Sequence, residues 1–152
     1  MRTDNSITKD WSSFQNSQRW ISLHDCKITG IKIEANQVVF QFDDGFMLVE
    51  NQNGNYVKPA RIVLHGCTPD DFSCYIIKRE SSQYGARLKG DPIPFEKLST
   101  MISSEKSIEI ITELYDSNFM HFRGALYPYE GDTLSTHIVI ETNDFFQMTY
   151  WW

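Results

Sequence analysis

From residue 26 onward the apolar positions of the chain recur with the period of a β-strand. Val38, Phe40 and Phe42 occupy every second position, the spacing that lines one face of a pleated strand. Ile28, Ile31 and Ile33 change phase across Gly30, which predicts a bulge there. Asp43-Asp44-Gly45 reads as a turn in which glycine supplies a positive φ, and Phe46 to Glu50 reads as the returning strand. Asn51-Gln52-Asn53-Gly54-Asn55 reads as another turn. Ala60 to Cys67 and Phe72 to Lys78 are two further strands, separated by Thr68-Pro69-Asp70-Asp71. Residues 80–94, rich in Gly, Pro and Ser, read as a long connection. Phe95, Leu98, Met101 and Ile102 then recur at helical spacing and predict one short helix at about 94–103. Pro94 suits its first position, where a missing N–H costs nothing. The last third reads as a β-meander. Ile108, Ile110 and Leu114 lie on one strand, followed by Phe119 to Tyr127, Leu134 to Thr142 and Phe145 to Trp152, with turns at Asp116-Ser117-Asn118, Glu130-Gly131-Asp132 and Asn143-Asp144.

These elements predict a mainly β protein, an antiparallel sandwich or partly open barrel of about nine strands with one short helix. Either architecture protects the sheet edges. Residues 1–22 are polar, with Trp11, Phe14 and Trp20 as large apolar anchors. Spacings of three and six place these near one helical face, so the segment reads either as a short docking helix or as a tethered irregular arm. No internal repeat and no shift in composition marks a second domain, and residues 1–152 are read as one.

Composition narrows the function classes. A chain of 152 residues buries roughly two-thirds of its unfolded surface and needs no disulfide or metal to fold. Aromatic residues, at 14%, suit the packing of flat rings across a sheet. A net charge of −6 argues against a general nucleic-acid binder, because phosphate backbones select basic surfaces. Lys78, Arg79, Arg87 and Lys89 form a local basic cluster that reads as a solvated loop. The segment from Met1 to Phe14 has no apolar run of the signal-peptide type, and no window reaches the ~18 apolar residues of a membrane helix. A cytoplasmic, non-membrane protein with three reduced cysteines is expected.

The candidate chemistry is sparse. His24-Asp25-Cys26 and His65-Gly66-Cys67 share a His-x-Cys spacing. In strands, each pair would point to one face, ~7 Å apart, and four N/S ligands could surround a zinc ion. Structural zinc sites more often use Cys-x₂₋₄-Cys knuckles, so these residues read as core and edge positions, with no metal and no cofactor. No Gly-x-Ser-x-Gly elbow, catalytic cysteine signature or phosphate-binding glycine loop is present, and no catalytic residue is assigned. Cys74, between Phe72 and Ile76, reads as core. Asp43-Asp44 and Asp70-Asp71 read as turn caps. Glu109 and Glu113 read as a solvated strand face.

One strand surface stands apart. If the turn at 130–132 sets His121 opposite Glu141 and Arg123 opposite Val139, and Asn143-Asp144 is a hairpin setting Glu141 opposite Phe146, one face gathers several unusual groups. It carries Phe119, His121, Arg123, His137, Val139, Glu141, Phe146, Met148, Tyr150 and Trp152. His121, Arg123, His137, Glu141, Tyr150 and Trp152 are then the candidate binding residues. Aromatic, Met and Arg side chains together are the composition of a partner surface or a ligand-cavity wall. A half-exposed sheet face with ordinary cross-strand pairs is the alternative.

Ser22-Leu23-His24-Asp25-Cys26-Lys27-Ile28, followed by Phe42-Asp43-Asp44-Gly45-Phe46, resembles the start of small uncharacterised bacterial proteins. These open with Leu-His-Asp-Cys-x-Ile and continue through a strand ending in Asp-Gly, and some resemble immunity proteins of toxin systems. The resemblance covers about residues 20–50. It implies a bacterial, non-enzymatic β domain and carries no functional residues over. The expected function is a non-enzymatic binding domain, protein-binding or immunity-like, with a protein partner or a second copy as occupant. A sandwich or barrel holding a small ligand is the alternative, and a cryptic metal-dependent enzyme is the third reading.

Overall fold

The computed structural model describes residues 5–10, 19–102, 105–116, 119–128, 133–141 and 147–152, with residues 9, 10, 82, 116 and 133–141 described through the backbone alone. Fourteen strands lie among these residues. The first eight are β1 (Ser6–Asp10), β2 (Arg19–Ser22), β3 (Lys27–Ile28), β4 (Gly30–Glu34), β5 (Gln37–Phe42), β6 (Phe46–Glu50), β7 (Asn53–Val57) and β8 (Ala60–His65). A 3₁₀ turn at Pro69–Asp71 leads into β9 (Phe72–Ser82) and β10 (Gly85–Ile93), then the helix α1 (Phe95–Met101). The chain closes with β11 (Ser107–Asp116), β12 (Phe119–Tyr127), β13 (Thr133–Glu141) and β14 (Gln147–Trp151).

The strands form three antiparallel sheets, ordered β1-β14-β8-β5-β4, β10-β9-β13-β12-β11-β3 and β2-β6-β7. The first two face each other. Phe40 of β5 meets Phe72 of β9 and Phe122 of β12 edge-on, with ring centroids 6.4 and 5.9 Å apart. The small sheet closes one side. Phe46 at the start of β6 is fully buried and packs edge-on against Phe42, Tyr150 and Trp152. Helix α1 seals the core elsewhere, with Phe95 stacked 3.9 Å from Phe72 and Leu98 fully buried. Burying one such side chain stabilises the fold by about 1.5–3 kcal/mol. The architecture is mainly β and antiparallel, with open sheets, consistent with a sandwich or a partly open barrel. No helix among the described residues is long and apolar enough to cross a membrane.

The helix lies within the span its spacing predicts, with Pro94 just ahead of it and its carbonyl accepting from the Leu98 N–H. The strand count differs from nine for local reasons. Asn51 and Gln52 both take positive φ, 48° and 69°, and make a two-residue turn, so Asn53-Gly54-Asn55 belongs to β7 rather than to a loop. Residues 85–93 are a strand despite Gly85, Gly90 and Pro92, because β10 is a sheet edge, where a proline is tolerated. The phase change around Gly30 is not a bulge. The chain leaves one sheet at Ile28, which pairs with Ile108, and enters another at Gly30, which pairs with Gln41. At the N-terminus the described residues form β1 and β2, and residues 11–18 between them, part of the segment expected as a helix or arm, lie outside the described residues. Trp11 and Phe14 lie outside the described residues, and Trp20 is exposed on β2.

Candidate functional site

The last four strands divide between two sheets, which redistributes the residues singled out above. β12 and β13 pair as a meander, but two residues out of the expected register: Phe119 opposes Glu141, His121 opposes Val139 and Arg123 opposes His137. A shift of two preserves parity, so these positions still share the outer face of the six-stranded sheet. β14 does not continue the meander. It pairs with β8 and β1 in the opposite sheet, while β13 pairs with β9. The expected pairing of Glu141 with Phe146 involves a residue outside those described. Tyr150 points into the core and is fully buried. Trp152 packs on the core against Phe46, with the Arg19 guanidinium 5.1 Å above its ring. Neither stands beside His121 and Arg123.

What joins that face instead is β9 on one flank and β11 on the other. Tyr75 opposes His137, which opposes Arg123, which opposes Thr112. One rung on, Ser73, Val139, His121 and Leu114 align. Tyr75, Leu114 and Tyr127 are exposed at 40%, 54% and 42%, large values for apolar side chains on one sheet. The Lys27 ammonium lies 3.9 Å from the Tyr127 ring centroid. Phe119 packs edge-on to His121 at 6.4 Å. Burial, with the adjacent Arg123 charge, pushes His121 below the usual imidazole range. Sequence reasoning missed Tyr75 and Tyr127. Tyr75 sat on a recognised strand, but only its pairing with β13 brings it to this face.

The basic cluster is also redistributed. Lys78, Arg87 and Lys89 lie on the β9–β10 hairpin and pair with Glu80 and Asp91, with Arg87 Nη2 2.8 Å from Glu80 Oε2. The local positive charge is thereby largely neutralised. Arg79 is exposed and lies on the other face, opposite Leu88.

Neither His-x-Cys motif has the strand geometry that its spacing suggested. In each the central residue is left-handed, Asp25 at φ 63° and Gly66 at φ 73°, so the chain turns within both motifs, with His65 closing β8. Each thiol points back at its own motif: Cys26 Sγ donates to the carbonyls of Ser22 and His24 at 3.6 Å, and Cys67 Sγ to that of His65 at 3.8 Å. His24 is exposed and lies 3.0 Å from Asp25, while His65 Nε2 bonds Thr149 Oγ1 at 2.8 Å. Among the described residues no three His, Cys, Asp or Glu side chains converge on one point. Burial pushes the Cys26 and Cys67 thiols up to about 11 and Cys74 to about 12, the inert end of thiol behaviour.

Glu113 is where the reading of a solvated carboxylate face fails. The β11–β12 register slips between Ile110 and Thr112, so Ile111 is an extra residue that inverts the parity beyond it. Glu109 faces outward and Glu113 turns inward. Its carboxylate accepts from the Leu23 N–H at 3.4 Å and the Tyr115 hydroxyl at 3.1 Å, and Tyr115 in turn neighbours the buried Tyr150 phenol. Burial raises the Glu113 carboxyl above the usual range, and the Leu23 N–H, Tyr115 and His24 oppose that rise. The arrangement ties the segment after β2 to the six-stranded sheet.

Comparison with protein-family models, curated proteins and solved structures finds no match to this chain.

Proposed function

We propose that the chain is a non-enzymatic protein-binding module that docks its partner on the outer face of the six-stranded sheet. The observation that carries this reading is the exposure of Tyr75, Leu114 and Tyr127 on one sheet together with His121 and Arg123. Aromatic and Arg side chains are enriched at protein interfaces, and buried aromatic anchors supply most of their affinity. Six strands span about 24 Å at ~4.8 Å spacing, a width suited to a standard interface of ~800 Å² per partner. The cations here select the partner's character. Arg79 and Arg123 make no ion pair among the described residues, and Lys27 sits on Tyr127. The partner surface is therefore apolar at its centre and acidic around it. An immunity-like role, covering the surface of a toxin, fits this reading and the resemblance of residues 20–50.

The test is a comparative affinity purification from the source cells with three baits. These are the wild-type chain, a Tyr75→Ala/Leu114→Glu variant and a Tyr56→Ala control on the separate three-stranded sheet. A protein recovered in 1:1 ratio by wild type and control and lost with the double variant supports the proposal. Identical recovery with all three baits overturns it.

A further inference from the structure

The five-stranded sheet carries a second site, independent of the face above. Its register stacks outward side chains in rungs. Gly30, Gln41, Arg61 and Trp151 form one rung, Lys32, Val39, Val63 and Thr149 the next, and Glu34, Gln37, His65 and Gln147 the third. This face is not flat. Val39 and Val63 point away from the core, yet they are only 7% and 8% exposed, because the longer side chains around them rise as walls. The result is a groove of about 350 Å³ bordered by Lys32, His65, Arg61 and Trp151. It adjoins a cavity of about 190 Å³ that shares Gln41, Arg61 and Trp151 and extends to Trp152.

The polar groups of the groove fall into two sets. Glu34 is already engaged, accepting from the Gln37 amide. His65 is engaged with Thr149, which also meets Thr8. Lys32, Arg61 and the Gln41 amide make no hydrogen bond or ion pair among the described residues. The uncommitted groups are thus two cations and an amide, in a chain of net charge −6. Arg61 is pre-oriented, its guanidinium lying 5.4 Å from the Trp151 ring centroid. A planar guanidinium fixed in this way presents its outer N–H fork to a carboxylate or phosphate. Lys32 stands two strands and one rung away, about 12 Å between backbones, so the two long side chains can reach one anion above Val39. Gly30 makes room for the third group: a methyl there would lie 2.4 Å from Gln41 Oε1. The floor of Val39 and Val63 and the Trp151 wall are apolar.

We propose that this groove binds a small amphipathic anion, a carboxylate or phosphate ester whose head is held by Arg61, Lys32 and Gln41. Its apolar or aromatic body lies on Val39, Val63 and Trp151. The volume is at the lower end for small-molecule sites. The head supplies orientation through charge-assisted hydrogen bonds and the body supplies desolvation. Both parts are required, so neither inorganic phosphate nor a neutral ring alone should bind well.

Titration of ¹⁵N-labelled protein with phenyl phosphate, benzoate, inorganic phosphate and phenol tests this, read at the Trp151 indole and Arg61 Nε–H resonances. Saturable shifts are expected with phenyl phosphate or benzoate, and at least tenfold weaker binding with inorganic phosphate and phenol. Arg61→Gln should weaken the anion by about tenfold or more, the value of one hydrogen bond to a charged group. Lys32→Gln should weaken it less. Both variants should keep the wild-type amide spectrum away from the groove. The proposal is overturned if none of the probes gives a saturable shift by about 10 mM, a concentration weaker than the millimolar floor of specific small-molecule recognition. It is equally overturned if phenol binds as well as phenyl phosphate, or if Arg61→Gln binds as tightly as wild type.

Discussion

Replacing Trp152 with alanine separates an anchor for another molecule from a strut of this one. The backbone of Trp152 exchanges two 3.0 Å hydrogen bonds with Asn5, and alanine keeps both. What the substitution removes is the indole, which is partly buried and packed against the core. It loses the edge-on contact with Phe46 at 6.4 Å and the Arg19 guanidinium at 5.1 Å. Truncating a fully buried aromatic side chain costs about 3–5 kcal/mol. Partial burial lowers that to about 2–3 kcal/mol, which includes ~0.5–1 kcal/mol from the half-solvated cation–π contact. For a chain of this size each kcal/mol moves Tm by about 2–4 °C, so the expected fall is roughly 4–12 °C. Thermal melts by circular dichroism measure it. Leu88→Ala, at a position 66% exposed on β10, is the control and should stay within about 0.5 kcal/mol of wild type. A Trp152→Ala melt within about 1 °C of wild type, accompanied by a change in sedimentation, would refute the packing argument and return Trp152 to an intermolecular role.

Two further outcomes follow from buried titratable groups. Because burial raises Glu113 above the unfolded carboxyl range, the folded state keeps this proton to higher pH than the unfolded state does. Stability from this group is complete below about pH 4.3 and is lost as pH rises through the folded pKa, at about 1.4 kcal/mol for each tenfold difference in proton affinity. Glu113→Gln should therefore gain on wild type as pH rises above about 4.3 and level off beyond the folded pKa in parallel thermal melts. A difference that does not change with pH would show that Glu113 is solvated. Thiols at about 11 are only about one part in a thousand ionised at pH 8, so Cys26, Cys67 and Cys74 should react with an aromatic disulfide reagent hundreds of times more slowly in native protein than in denaturant. A native thiol reacting at the denatured rate would overturn their burial.

Much of the sheet structure was legible because burial on one face writes a period of two into the sequence. β5, β6, β8 and β12 carry that period and were readable from it. Two strands escaped notice because they have almost no buried face to record. β7 contributes Asn53, Gly54 and Asn55, all exposed, and β10 is an exposed edge interrupted by Gly90 and Pro92. Their strand character comes from backbone pairing with a neighbour, which leaves no trace in side-chain polarity. The third gap concerns which strand pairs with which. Consecutive strands are neighbours roughly two-thirds of the time, and β14 is one of the remainder. Its insertion between β1 and β8 moved Tyr150 and Trp152 from a surface to the core side of the opposite sheet, while His121 and Arg123 stayed in place.

Parity errors behave differently from pairing errors, and Glu113 shows why. Glu109 and Glu113 are four residues apart, so an uninterrupted strand would put both on one face. A single additional residue at Ile111 reverses that inference for every later position of β11, turning Glu113 inward and Leu114 outward. The sequence around Ile111 has no glycine or proline to announce the slip. The reason for it lies across the sheet, at Gly124 of β12. A methyl group there would fall 2.4 Å from the Glu109 carbonyl oxygen and 2.7 Å from Ile108 Cγ2, so only glycine lets the two strands approach this closely where the register shifts. The bulge is thus encoded by a residue eleven positions away from the carboxylate it redirects. That one glycine has two consequences. It places Leu114 in the exposed row beside His121, where the proposed docking face needs an apolar group. It also drives Glu113 against the Leu23 N–H and Tyr115, fastening the segment after β2 to the same sheet.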